Sequence, residues 1–319
     1  MKKILLATTL IATASTAMAD VSFSGYGRFG ATYNNKAVQK TQMAGRMRLN
    51  IKGSMTTDGG IEFGAKTRLQ SNIGALNGTF AGAMFTMDSG AWHVEVGNVN
   101  TAFDSASLIW NSEMGFQDSS FGDPTDAVFA YNSGNNPTAG YSGVSATYTM
   151  GSLVVMASAV DPDQTAKATA TTETETALSL AYTTGKISLA AAGYHNGAGV
   201  KGFNGMFVGA AYAVSDAVNV GLNYIDEDAA DPVKNPGGNN LGKITTLYGN
   251  YKMGAITLRG YVADYNTKGA DTAVGLGADY DLGGGARLSG AVQQGPVWNN
   301  GTATFDKTTV AEVGVRFDF

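Results

Sequence analysis

VSFSGYGRFGATY, residues 21–33, alternates between apolar and polar side chains. Val21, Phe23 and Phe29 occupy one face of an extended chain, while serines, an arginine and a threonine occupy the other. Because successive side chains of a strand point to opposite faces, the stretch predicts a β-strand with one apolar and one polar face. The last residues of the chain, VGVRFDF (313–319), repeat the alternation.

The same pattern fills the sequence between these two stretches. Segments of roughly 8–14 residues alternate in this way, and Asp-Gly, Gly-Gly and Met-Gly turns separate them. No apolar run after residue 19 approaches the roughly 20 residues that a spanning helix needs. Charged residues are only 15% of the 319, against about 25% in soluble domains, which disfavours a soluble β-sandwich or propeller with a charged outer face. The sequence predicts one continuous all-β array.

The first nineteen residues have the three parts of an export signal. Two lysines form a basic start, 4–14 is an apolar stretch, and 17–19 (AMA) fits a cleavage site. We interpret 1–19 as a signal peptide and 20–319 as one exported domain. Without those two lysines, 19 of the 21 basic side chains remain against 26 acidic ones, a net charge of −7. This charge argues against a nucleic-acid partner, and the absence of cysteine excludes disulfides and thiolate chemistry.

Short and long connections follow one another between the alternating segments. Seven very short ones and eight long ones take turns, as the periplasmic turns and extracellular loops of an outer-membrane barrel do. The stretch 127–132 breaks this order, because counting it as a strand gives 17 strands and inverts every later loop. Placing it within one long connection, about 100–142, gives 16 strands. We therefore predict an all-β, 16-stranded antiparallel transmembrane β-barrel with both termini at the short-turn end.

Several blocks of the sequence are similar to one known family. The blocks are GYGRFG (25–30), TAFDSASLIWNSEMGFQDSSFGD (101–123), VDPDQT (160–165), GADTAVGLGADYDL (269–282) and VGVRFDF (313–319). Together they resemble the general diffusion porins of the Rhodobacter type, which are Gram-negative outer-membrane porins. The resemblance implies a homotrimer of 16-stranded barrels, each with its own pore and with the third extracellular loop folded inside. The connection 100–142 that the alternation requires is also the third long one.

The early strands and the third loop carry charges of opposite sign. The inward-facing basic residues of the first three strands are Arg28, Arg46, Arg48, Lys52, Lys66 and Arg68. The acids of the loop are Asp104, Glu113, Asp118, Asp123 and Asp126, and the loop contains no lysine or arginine. An acidic loop folded toward a basic wall predicts a pore constriction with a transverse field. We assign Arg28, Arg46, Arg48, Lys66 and Arg68 to its basic wall and the five acids to its opposite side.

Plainer interpretations of these charges remain open. The inward basic residues, Lys52 above all, would also be explained as solvated lumen residues that pair with Glu62 or Glu95. Independently, Asp123 or Asp126 would also be explained as residues that hold the turns of the loop itself. The sequence does not decide which acids face the solute.

Other polar groups predict no catalysis. His93 and His195 are the only histidines, and no hydrolase, phosphate-binding or metalloprotease motif accompanies them, so we do not expect an enzyme or a required cofactor. Acids at Asp161 and Asp163 and in 226–231 offer oxygen ligands suited to calcium in outer loops, although solvated surface charge is the simpler explanation.

The ends and outer faces of the barrel suggest its partners. Phe319 ends an alternating apolar face that resembles the terminal signal read by the barrel-assembly machinery. The early strands carry small residues on their outward faces, which favour contact with further copies of the chain over lipid. These residues are Gly25, Gly27, Gly45, Ala65, Ala81 and Ala83. Outer-membrane lipid and lipopolysaccharide, bridged by divalent ions at the loops, are the remaining expected partners.

The sequence thus predicts a passive, water-filled channel for ions and small hydrophilic solutes in the outer membrane of a Gram-negative bacterium. A substrate-specific channel is the first alternative, and it would show a ladder of inward aromatic side chains, whereas Tyr26 and Tyr261 are scattered. A non-conducting structural or adhesive barrel is the second, and it would lack a charged constriction.

Overall fold

The computed structural model describes residues 20–75, 77–124, 128–133, 141–165, 172–228, 242–299, 302 and 304–319. The predicted signal peptide, 1–19, lies outside these residues. Within them the chain forms sixteen wall strands and a single 3-10 turn, Gly197–Gly199. No helix in this part of the chain is long and apolar enough to span a membrane.

The strands are β1 Asp20–Asn34, β2 Thr41–Thr56, β3 Glu62–Asn72, β4 Thr79–Phe80 with Met84–Ser89, β5 Trp92–Gly97, β6 Ser142–Met150, β7 Leu153–Asp161, β8 Glu175–Thr184, β9 Ile187–His195, β10 Asn204–Ala213, β11 Val218–Glu227, β12 Lys243–Met253, β13 Ile256–Tyr265, β14 Ala273–Gly283, β15 Ala286–Asn299 and β16 Thr304–Asp318. Each pairs antiparallel with its neighbours in the chain, and β1 pairs with β16 to close the barrel. The predicted 16-stranded antiparallel barrel is confirmed.

Strand β4 is a single wall strand in two pieces. Both pieces pair with β3, while residues 81–83 between them leave the ladder. This break turns Ala81 inward, where it is buried against Met84 and Tyr131. The prediction that Ala81 lies on the outer face is therefore wrong, because the alternation does not continue through the break.

The connections follow the predicted order of short and long. Short turns such as 90–91 and 151–152 lie at one end of the barrel, and longer connections such as 162–174 and 196–203 lie at the other. The third long connection, 98–141, joins β5 to β6 and is called L3 below. Residues 128–132 of L3 form no strand, as the alternation requires, whereas Ala127 lies outside the described residues.

The outer face is apolar and carries aromatic rings near the short turns. Leu178, Leu247 and Leu276 are 50%, 57% and 74% exposed on this face. Five half-exposed aromatic residues lie close to short turns at one end of the barrel, and they are Trp92, Tyr182, Tyr212, Tyr251 and Tyr280. A band of aliphatic side chains edged by aromatic rings is typical of a barrel in a bilayer, where the rings lie at the membrane–water interface.

The last residue of the chain completes the seam between β1 and β16. The Phe319 N–H donates to the Gly25 carbonyl at 3.0 Å, and the Gly25 N–H donates to the Phe319 carbonyl at 2.7 Å. The ring of Phe317 lies over Gly27, where a β-carbon would come within 2.4 Å of the ring. The C-terminus is thus part of the barrel wall rather than a tail.

Candidate pore constriction

L3 folds into the barrel and packs against the inner wall of β7–β15. Phe103 and Ile109 of L3 are fully buried, and they belong to one apolar cluster with inward side chains of that wall, such as Phe207, Ile225 and Ile244. The main hydrophobic core of the protein therefore lies inside the barrel, between L3 and one side of the wall. The inner face of the covered wall is therefore mixed, with apolar side chains packed against L3 and a few buried polar ones such as Asn223 and Thr246.

Side chains of the wall hold the backbone of L3 by hydrogen bonds. The Asn223 amide donates to the Leu108 carbonyl at 2.7 Å, the Thr246 hydroxyl donates to the Gly122 carbonyl at 2.9 Å, and the Gln293 amide donates to the Ser119 carbonyl at 3.1 Å. The Phe121 N–H donates to the Tyr261 hydroxyl at 3.0 Å. Because buried backbone groups need partners, these bonds fix L3 at a defined position across the lumen.

Two facing glycines form a seat for the tip of L3. Gly30 of β1 lies opposite Gly314 of β16, and both are at inward positions. The fully buried ring of Phe116 fills the space above them, where a β-carbon would come within 3.0 Å of the ring at Gly30 and 2.7 Å at Gly314. Absence of a side chain at these two positions is what lets L3 cross the lumen and touch the far wall.

The tip of L3 is a tight turn that carries Asp118. A bridge between Met114 and Ser119 closes the turn, and Gly115 and Asp118 adopt left-handed backbone with φ values of 78° and 51°. The Asp118 carboxylate contacts three arginines of the wall, at 2.8 Å for Arg287 and 3.7 Å for Arg28, with Arg316 also in direct contact. The neighbouring Gln117 carbonyl accepts a further bond from Arg28 at 2.5 Å.

Four arginines form a row across four neighbouring strands. Strand pairing places Arg46 opposite Arg28, Arg28 opposite Arg316, and Arg316 opposite Arg287. Like charges that face each other across strands are destabilising, so this row requires counter-charge. The Asp118 carboxylate supplies it to three members, and the ring of Tyr26 lies 4.3 Å from the Arg316 guanidinium and 5.7 Å from that of Arg28.

The remaining basic residues of β2 and β3 are fixed differently. Arg46, Arg48 and Arg68 each direct their Nε to the amide oxygen of an asparagine or glutamine on the adjacent strand. Lys66 and Arg68 lie over the ring of Tyr131 in L3, at 4.8 and 4.5 Å from its centroid. Burial raises the pKa of the Tyr131 hydroxyl, and the neighbouring Arg68 partly offsets this rise.

These groups surround one cavity of about 780 Å³ between L3 and the uncovered wall. Its basic side chains are Arg28, Arg46, Arg48, Arg68 and Arg316, and its acidic ones are Asp104, Glu113, Asp118 and Asp123. A second cavity of about 430 Å³ lies on the short-turn side and shares Glu113, Asp118 and Arg316 with the first. The narrow part of the lumen is therefore lined by opposite charges on facing sides.

The structure separates the predicted site residues into groups. Of the predicted basic wall, Arg28, Arg46, Arg48 and Arg68 line the larger cavity, whereas Lys66 contacts the ring of Tyr131. Lys52 pairs with Glu62 at 3.0 Å, which is the plainer of its two interpretations. Asp104 and Glu113 line the cavity, whereas Asp123 also accepts a hydrogen bond from the Ser112 hydroxyl at 2.7 Å within L3. Asp126 lies outside the described residues.

Sequence reasoning missed the contribution of the last strands to this site. Arg287 and Arg316 bind Asp118, and Arg259 pairs with Asp279 at 2.8 Å on the inner wall. Alternation alone places these arginines inward, since they stand at polar positions between outward apolar residues. Closure of the predicted barrel places β16 beside β1, but the sequence does not show that the tip of L3 reaches this seam and sets Asp118 against Arg287 and Arg316.

Other polar groups hold connections in place. Both ring nitrogens of His93 contact carboxylates, Asp88 at 2.6 Å and Glu95 at 3.3 Å, and Glu95 accepts from the Asn100 N–H at 2.7 Å where L3 begins. In the outer loops Asp161 accepts from the Asp163 N–H at 3.0 Å, and Asp231 lies outside the described residues. Among the residues described, no three His, Asp or Glu side chains are grouped to hold a metal ion; calcium binding stays a prediction.

Comparison with known proteins agrees with this architecture. The family of Gram-negative porins matches residues 7–297. The porin of Fuscovulum blasticum is 42% identical over 308 residues, covering 94% of this chain and 100% of that protein. The porin of Rhodobacter capsulatus is 29% identical over 324 residues, with the same coverage of 94% and 100%.

Solved structures agree as well. A mutant of the Rh. blastica porin superimposes with a TM-score of 0.85 at 40% identity, covering 94% of this chain and 100% of that one. The similarity to Rhodobacter-type porins in the sequence is thus confirmed over nearly the whole barrel. The chain belongs to the Gram-negative porins and is a general diffusion porin of the outer membrane.

Proposed function

We propose that the cavity between L3 and the wall of β1–β3 and β16 is the selectivity constriction of this porin. The observation that carries the proposal is the facing arrangement of charges, with five arginines on the wall and four carboxylates on L3 around one cavity. Passage through it is passive diffusion through water, which requires neither a cofactor nor a catalytic group.

The facing charges act on solutes through a transverse field. The positive wall and the negative loop orient water and dipolar solutes across the gap. A small polar solute that aligns with the field replaces the interactions of the oriented water molecules that it displaces. An apolar solute displaces oriented water without replacing its interactions, which raises its barrier. Because the two charge sets nearly balance, we expect weak selectivity between cations and anions.

The alternative of a substrate-specific channel is less well supported. Four inward tyrosines lie on β9, β12 and β13. They are Tyr194, Tyr248, Tyr261 and Tyr265. L3 covers them, so that each is only 3–5% exposed. An aromatic ladder that guides a substrate must be open to the lumen. Among the described residues, the aromatic side chains that line the cavity are Tyr26, Trp110 and Tyr131, and charged groups surround all three.

The working assembly that we propose is a homotrimer. The outward face of β1–β4 retains Gly25, Ala65 and Ala83 as small residues, which allow close approach of a second barrel wall, whereas the side chain of Ile73 lies over Gly45. Residues 1–19 direct export and are removed, and Phe319 marks the chain for the barrel-assembly machinery. Outer-membrane lipid and lipopolysaccharide surround the remaining wall.

Solute flux through reconstituted protein tests the constriction. Liposome swelling with neutral sugars of increasing size should show uptake rates that fall steeply with size, and Arg48→Ala should raise the rates of the larger sugars. Lys52→Ala is the matched control, because it removes an inward basic side chain that pairs with Glu62 instead of lining the cavity. Equal effects of the two substitutions, or flux that does not depend on sugar size, would overturn the proposal.

A further inference from the structure

The arginines of the constriction fall into two groups with different partners. Arg28, Arg287 and Arg316 converge on the carboxylate of Asp118. Arg46, Arg48 and Arg68 instead bind neutral oxygens, with Nε–O distances of 2.9 Å to Asn72, 2.5 Å to Gln70 and 2.8 Å to Asn50. Within the described part of the chain, none of this second group forms an ion pair with a carboxylate.

Their bonding leaves the outer edge of two guanidinium groups available. In Arg46 and Arg48 the Nε donates to the wall, and no acceptor among the described residues binds their terminal nitrogens. Arg68 uses one terminal nitrogen for the Ser133 hydroxyl at 2.8 Å. A guanidinium held by its Nε presents its paired terminal N–H groups as a fork, the geometry that recognises two oxygens of a carboxylate or phosphate.

Aromatic rings lie against two of the three guanidinium groups, those of Arg48 and Arg68. The Arg48 guanidinium lies 5.4 Å from the Tyr26 ring centroid, and the Arg68 guanidinium lies 4.5 Å from that of Tyr131. Arg46 and Arg48 are two positions apart on the same face of β2, so their backbones are separated by about 7 Å. The two forks thus border one part of the cavity, from adjacent heights in the lumen.

Electrostatics favours an anion at this place. Arg46 faces Arg28 across β1 and β2, and Lys66 lies near Arg68 over the same tyrosine ring. Like charges at such spacing repel each other. Asp118 offsets this repulsion at Arg28 and Glu95 does so at Lys66, but no carboxylate of the described residues pairs with Arg46, Arg48 or Arg68, so a bound oxyanion would supply their counter-charge. A halide ion is a single acceptor centre, whereas an oxyanion accepts the two terminal N–H groups of one guanidinium through two of its oxygens.

We propose that Arg46 and Arg48, supported by Arg68, form a binding site for phosphate-type oxyanions within the constriction. The inference rests on the proposed function, because it assigns a preferred solute class to the same cavity. Solutes that carry a phosphoryl group bind transiently at this site during diffusion, so the pore favours them over halide ions.

Single-channel currents with inorganic phosphate test the site. In KCl at constant ionic strength and pH, added phosphate should reduce the open-channel current of the wild type in a saturable manner. Arg46→Gln with Arg48→Gln should raise the half-maximal phosphate concentration at least tenfold. Lys52→Gln, which removes an inward positive charge outside the cavity, should leave that concentration within twofold of the wild type.

A conservative variant distinguishes a site that needs the bidentate hydrogen bonds of arginine from one that needs only a positive charge. Arg48→Lys keeps the charge and loses the two parallel bonds, so the half-maximal phosphate concentration should rise several-fold above that of the wild type. Unaltered phosphate inhibition in Arg48→Lys would overturn the site, and so would a wild-type channel that conducts KCl but does not respond to phosphate. The second result leaves the diffusion pore intact, whereas a wild type without conductance would refute the proposed function itself.

Discussion

Replacing Asp118 by asparagine should loosen the tip of L3 without preventing its turn. Asparagine tolerates the left-handed backbone that Asp118 adopts at φ 51°, so the substitution removes mainly the charge. That charge is shared by Arg28, Arg287 and Arg316. Hydrogen bonds to charged groups contribute about 1.5–3 kcal/mol each, but the Asp118 side chain is 30% exposed, and solvent screening reduces the sum to about 2 kcal/mol.

A loss of this size has a measurable effect on the pore. Since every 1.4 kcal/mol is about tenfold in an equilibrium constant, the population with a displaced tip rises about 30-fold. Single-channel recordings of Asp118→Asn should show greater open-channel noise and a reversal potential shifted toward anions, because three arginines lose their shared counter-charge. Asp58→Asn, on the exposed turn 57–61, is the control. If Asp118→Asn matches the wild type in noise, conductance and reversal potential, the anchoring role is refuted.

One deletion and two substitutions test assembly and the seat of L3. Deleting Phe319 removes two backbone bonds to Gly25 and should lower the yield of heat-modifiable barrel in outer membranes; an unchanged yield would contradict its role. Ala83→Trp should produce monomers on mild detergent gels if β1–β4 form the trimer interface, and an intact trimer would count against that assignment. Gly314→Ala should lower the unfolding temperature and raise channel noise, because its β-carbon would lie 2.5 Å from the Phe29 carbonyl oxygen and 2.7 Å from the Phe116 ring. Gly290→Ala, with its nearest contact at 3.5 Å, should change neither property.

Most of the barrel was predictable because its physics is local. Alternation of side chains follows from strand geometry, and the order of short and long connections follows from antiparallel pairing in a closed wall. Both are visible in the sequence without any knowledge of distant contacts. The errors arise where the ladder is interrupted: the break at 81–83 turns Ala81 inward, and nothing in the alternating pattern marks it.

The site was only half predictable because it depends on contacts between distant parts of the chain. Arg46, Arg48 and Arg68 could be placed on the basic wall, since they share a face of two neighbouring strands. Asp118 was grouped with the field-forming acids, but its partners Arg287 and Arg316 are 169 and 198 residues away in the chain. The glycine seat for Phe116 was also invisible, because a glycine at an inward position shows nothing about what lies above it.

The reversal potential across a tenfold KCl gradient tests most directly whether opposite charges face each other at the constriction. Arg46→Ala with Arg48→Ala removes positive charge from one side of the cavity, and Asp104→Asn with Glu113→Gln removes negative charge from the other. We predict a shift toward cations for the first pair and toward anions for the second, with both shifts smaller at 1 M salt, where the Debye length is about 3 Å. Shifts in the same direction, or no shift in either variant, would contradict the account.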